Sequence, residues 1–139
     1  MTMIPDRERI RLQVLVWWII WAGILAGLLT IYYFLGRGPK PAGAPGQAVT
    51  GLIGLGPLFL SIITRWLVLP RFRDPIRALP VFVAGLAMAE AGGILGIFLG
   101  GPYRDDLFLL GVLGVLQFTP LFARRLFESP KPAEFFPRG

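Results

Sequence analysis

Apolar residues gather into four long runs, at about residues 12–35, 49–69, 79–99 and 107–122, separated by short stretches rich in Arg, Gly and Pro. A helix rises 1.5 Å per residue, so about 20 apolar residues cover a hydrocarbon core about 30 Å thick. The fourth run is the shortest of the set. None of the runs alternates with period two, as strands of a membrane barrel would. A backbone surrounded by lipid must satisfy its own hydrogen bonds, which leaves the helix. The pattern predicts an all-α, polytopic membrane protein, a four-transmembrane-helix bundle forming one domain over residues 1–128. Between the first two runs, Gly36, Gly38, Pro39, Pro41, Gly43, Pro45 and Gly46 mark a helix-breaking loop. Residues 129–139, with Pro130, Pro132 and Pro137, read as a mobile tail.

Composition agrees with the pattern. Of 139 residues, 55% are hydrophobic and only 16% charged, outside the range of soluble domains. There is no cysteine and no histidine, which removes disulfides, thiolate ligands, cysteine nucleophiles and the commonest general base. Neither a metal site nor a cofactor is expected. An enzyme is argued against, because no cluster of carboxylates lies within the apolar runs to replace those groups. The net charge of +6 does not point to nucleic acid, since the basic residues sit in short segments flanking apolar runs.

Those basic residues instead set orientation. With the N-terminus in the cytoplasm, Arg7, Arg9, Arg11, Arg65, Arg71, Arg73, Arg77, Arg124, Arg125, Lys131 and Arg138 fall inside, against Arg37, Lys40 and Arg104 outside. Both termini are therefore expected in the cytoplasm, in a multi-pass protein of the bacterial inner (cytoplasmic) membrane. Trp66 near an inner helix end, and Tyr32, Tyr33 and Tyr103 near outer ends, suit an aromatic belt. The first run is longer than a signal-peptide core of about 7–15 residues, which favours an uncleaved span.

Glu90 is the one acidic residue inside an apolar run, in Leu86-Ala87-Met88-Ala89-Glu90-Ala91-Gly92-Gly93-Ile94. A carboxylate at bilayer depth is costly unless neutral, paired or wetted, so it is a candidate ion-binding group. Gln117, Ser61 and Thr64 are the residues expected within reach of it, whereas Arg65, nearer the cytoplasm, is expected to snorkel. One reading has a neutral Glu90 fixing helix register through a hydrogen bond; the other has it exchange a proton or cation. Small residues recur every four positions in the same helix, Gly85, Ala89 and Gly93 on one row and Gly92, Gly96 and Gly100 beside it. Such rows let backbones approach in lipid, so this helix is expected at the centre of the bundle or at a subunit contact. Pro57 is expected to kink the second helix, and Asp105-Asp106 to cap the fourth and complement its dipole.

The segment from Leu86 through Glu90 and Ala91 to Ile94 and Gly96 resembles the ion-binding helix of the rotary ATPase proteolipid (c) subunit. Arg73-Asp74-Pro75 is similar to that family's polar loop. The resemblance covers the second and third helices only and implies an ion-binding carboxylate at Glu90. The loop lies about one turn closer to the glutamate than in that family, and Gly51, Gly54 and Gly56 stand where it has a denser glycine pattern.

The expected role is a noncatalytic component or accessory subunit of a membrane assembly, in a lipid bilayer, as a homo-oligomer or within a larger complex. The alternative is a small oligomeric transporter or proton- or cation-coupled device using Glu90.

Overall fold

The computed structural model describes residues 6–39, 49–50 and 52–122; the expected tail at 129–139, Gly51 and most of the loop at 36–46 lie outside them. Every regular element among the described residues is helical. Helix α1 spans Asp6–Ile31 and runs on through a π-helical turn, Tyr32–Gly36. Helix α2, Leu55–Ile63, is preceded by a 3-10 turn, Leu52–Gly54, and followed by a π turn, Thr64–Val68, and a 3-10 turn, Leu69–Arg71. Helix α3 is Pro75–Leu99, and α4 is Arg104–Leu116 with a terminal 3-10 turn, Pro120–Phe122. The continuous helical segments Glu8–Gly36, Leu52–Arg71, Pro75–Leu99 and Gly101–Phe122 are each long and apolar enough to cross a membrane.

Helix boundaries differ from the apolar runs where local chemistry overrides hydrophobicity. Helix α1 starts ahead of its run because Arg7, Glu8, Arg9 and Arg11 are good helix formers. Helix α3 starts at Pro75 because Asp74, in extended backbone, accepts a 2.9 Å hydrogen bond from the Ile76 amide and Pro75 is preset for a first helical position. Pro57 sits in the first turn of α2, where backbone donors have no intrahelical partner and proline is tolerated, and a π turn follows farther on. Tyr103, not an aspartate, occupies the N-cap of α4 and makes no side-chain cap. Asp105 and Asp106 lie in the first turn, where the macrodipole favours them. Gly101, at φ 49°, supplies the left-handed residue that turns α3 into α4.

The helices run alternately up and down. The start of α1, the end of the second segment, the start of α3 and the end of α4 share one end, here called the basic end. Helix α3 is central and packs against α4, α2 and α1. Helices α1 and α2 flank the α3–α4 pair from opposite sides, with little contact between them. Glycine allows the close approach. A Cβ on Gly111 of α4 would collide with the Gly93 backbone of α3, its amide nitrogen only 2.9 Å away. A Cβ on Gly92 would come 2.9 Å from the Gly54 carbonyl, and one on Gly96 2.6 Å from Leu107 Cβ. At the basic end, Trp17, 2% exposed, packs on Phe82 with ring centroids 4.6 Å apart, and Phe118 and Phe122 complete the aromatic cluster. Outward faces carry large apolar side chains, among them Leu15, Ile19, Phe59, Leu67, Phe98 and Leu113.

Candidate functional site

Glu90 is half-buried on the face of α3 that meets α1. Its Oε1 lies 3.5 Å from where a Cβ on Gly27 would stand, so glycine leaves room for the carboxylate beside the α1 backbone. No hydrogen bond or ion pair reaches that carboxylate from any described residue. Ala89, one position earlier, packs against Gly111 and Gly114 of α4. A helix advances about 100° per residue, so Glu90 turns away from α4.

Gln117, Ser61 and Thr64 do not gather around Glu90. Gln117 and Ser61 instead pair with each other, at a long 3.5 Å between Nε2 and Oγ, where α4 meets the second segment. The Trp66 indole N–H donates to Gln117 Oε1 at 3.2 Å, and Arg65 Nε donates to the Gln117 carbonyl at 2.8 Å. Thr64 places its methyl 3.1 Å from the Cβ position of Gly85, as a packing contact with α3. Arg65, expected to snorkel, has partners on α4 and beside it in its own segment. Its guanidinium carbon lies 4.4 Å from the Phe122 ring centroid and 5.3 Å from that of Trp66. The π turn Thr64–Val68 admits an extra residue into the helical turn and thereby changes the direction in which Arg65 and Trp66 leave the helix.

At the opposite end a second polar group joins α1 to α4. Tyr32 stacks on Phe108 at 3.8 Å with the rings 7° from parallel, and its hydroxyl donates to Asp105 Oδ1 at 3.0 Å. Gly36 makes this possible, since a Cβ there would strike the Tyr32 ring. Arg104, 8% exposed, donates from Nη2 to the Gly38 carbonyl at 2.7 Å and lies 3.6 Å from Asp105 Oδ1 through Nε. The pairing of Arg65 and Trp66 with Gln117, and of Tyr32 with Asp105, goes beyond the sequence expectations. Each depends on a π turn, for which the sequence carries no motif. Equal distance of Gln117 and Trp66 from the basic ends of their helices is the one signal that could have linked them.

Of the small residues, Gly85 is met by Phe118 and Thr64, Ala89 by Gly114, Gly92 by Gly54 and Leu58, Gly93 by Leu28 and Gly111, Gly96 by Leu107, and Gly100 by the start of α4. They therefore face three different helices. No three acidic residues cluster as metal ligands among the described residues. No protein-family model matches the chain, and comparison with curated proteins and with solved structures finds no match either.

Proposed function

We propose that this chain is an integral membrane protein of four spans, with the basic end in the cytoplasm, that acts as a noncatalytic component of a larger membrane assembly. The observation that carries this reading is the glycine-mediated contact of α3 with every other helix beneath a shell of exposed aliphatic side chains. Such contacts are how helices associate where lipid offers no hydrophobic drive. Backbone-to-backbone contact at Gly93 and Gly111 fixes the α3–α4 pair as a unit, which suits a structural part better than one whose helices must separate during a cycle. The positive-inside count supports the orientation.

A second reading rests on one specific observation. Glu90 has no partner among the described residues although it lies near the middle of α3, so a proton or cation, supplied with further copies of the chain, would complete the site. The resemblance to the proteolipid helix points the same way. Against it, Asp74 and Pro75 of the similar polar loop already serve α3 as its N-cap and first residue.

Purification in mild detergent followed by native mass measurement separates these readings. Larger co-purifying subunits support the accessory role, a stable homo-oligomer supports the Glu90 device, and a monomer without partners counts against both.

A further inference from the structure

Two recesses, one of mixed polarity and one apolar, open on the face where α2 and its π turn meet α4, and both are lined by Gln117. The first, about 440 Å³, is lined by Arg65, Gln117 and Thr119 together with Leu116, Leu121 and Phe122. The second, about 170 Å³, is apolar, lined by Leu58, Ile62, Leu110, Leu113 and Gly114 up to Gln117. The polar recess lies at the basic end, and the apolar one lies beyond their shared Gln117, toward the middle of the bundle.

Arg65 is the group that gives the polar recess its chemistry. Its Nε is already committed to the Gln117 carbonyl, and its plane is held against Phe122. The two terminal Nη groups donate to no described residue. A planar guanidinium fixed on one edge and unspent on the other presents paired N–H donors to a phosphate. The surrounding charge has the same sign, since Arg71 and Arg73 follow Arg65 within the same stretch, while Asp74 is offset by its own ion pair with Arg77. A zwitterionic headgroup would bring an ammonium into that field; a purely anionic one would not.

We infer that this face holds one anionic glycerophospholipid, its phosphodiester on the Arg65 Nη groups and an acyl chain in the furrow along Leu58, Ile62 and Leu113. Basic pockets between helices at the cytoplasmic side are where such headgroups are recognised. The snorkelling of a lone arginine would satisfy Arg65 but would not require an apolar furrow beginning at its partner Gln117. The inference rests on the membrane reading above.

The test uses the full chain in detergent, titrated with phosphatidylglycerol, phosphatidylcholine or inorganic phosphate, with bound lipid counted by native mass spectrometry and stability followed by thermal unfolding. Wild type should retain one phosphatidylglycerol in preference to phosphatidylcholine. Arg65→Gln should weaken that binding about tenfold through loss of a charge-assisted pair. Arg77→Gln, whose side chain is 80% exposed outside the recess, should bind as wild type. If Arg65→Gln does not fold, Leu113→Trp fills the furrow from an exposed position and should lower lipid retention with the charge intact. Equal retention of both lipids, equal loss in Arg65→Gln and Arg77→Gln, or saturation by inorganic phosphate as effective as by lipid would overturn the inference. Failure of the membrane reading looks different: the chain would then be released from cell membranes by an alkaline wash.

Discussion

Gly111→Ala is a small substitution with a large expected effect. The added methyl meets backbone, not a side chain that can rotate away, because the Gly93 nitrogen of α3 would lie 2.9 Å from it. Ordinary contact begins near 3.4 Å and the Gly93 Cα lies nearer still than its nitrogen, so α3 and α4 must separate by more than about 0.5 Å, and the contacts at Gly96 with Leu107 and at Gly114 with Ala89 loosen with it. Overpacking of this kind costs about 1–3 kcal/mol, and a site without side-chain relief belongs at the upper end. Alanine also removes a helical glycine, which returns about 1 kcal/mol. The net expectation is a loss of about 2 kcal/mol, or roughly 8 °C in thermal midpoint at about 4 °C per kcal/mol for a chain of this size. Fluorescence-detected size-exclusion after heating, in one detergent, measures the shift. Gly56→Ala is the control, since nothing lies within 4 Å of the added methyl there. It should leave stability unchanged or raise it slightly. If Gly111→Ala and Gly56→Ala melt together, α3 and α4 are not in backbone contact and the packing derived for the bundle core is wrong.

Three further outcomes are expected. Glu90→Gln keeps shape while removing ionisation, so in a noncatalytic component it should preserve stability and assembly; loss of cellular function with stability intact, together with carbodiimide labelling of the wild type, would favour the ion-coupled reading. Tyr32→Phe retains the stack on Phe108 and deletes the donor to Asp105, which should cost about 1 kcal/mol for a partly buried bond to a carboxylate, read as a lower thermal midpoint; an unchanged midpoint would show that the hydroxyl adds nothing to the stack and to the Arg104–Gly38 bond at that end. Reporter fusions within residues 38–46 and after Gly139 should report exterior and cytoplasm respectively, and both on one side would refute the orientation.

Much of this architecture is legible from hydrophobicity, because lipid punishes an unpaired backbone so heavily that a long apolar run has one conformational solution. The glycine spacing in α3 marks residues such as Gly92, Gly93 and Gly96, since missing side chains are visible in a sequence. Which helix each of them faces is not visible. Gly92 meets α2, Gly93 meets α1 and α4, and Gly96 meets α4, an assignment set by the arrangement of all the helices together. Polar partnerships are harder still. Gln117 and Glu90 look equally deep when counted along their runs, yet they point to different sides of the bundle. Arg65 looks solitary until the π turn at Thr64–Val68 and the short 3-10 end of α4 bring the Gln117 carbonyl and Phe122 to it. Irregular turns move side chains by a fraction of a helical turn, which no periodicity rule resolves.

The placement of α1 and α2 on opposite sides of the α3–α4 pair has a consequence for biogenesis. On the four-span reading proposed above, the first half of the chain would enter the bilayer as two helices with almost nothing to hold them to each other. Helix α3 brings Gly92 and Gly93, the first docking points for Leu58 and Leu28. Ser61, Arg65 and Trp66 still wait for Gln117, and the Trp21 indole for the Val115 carbonyl that accepts it at 2.9 Å. All of those partners arrive with α4, which is made after the other three helices. A chain arrested before that point would leave one guanidinium and two indoles without the partners that the closed bundle gives them.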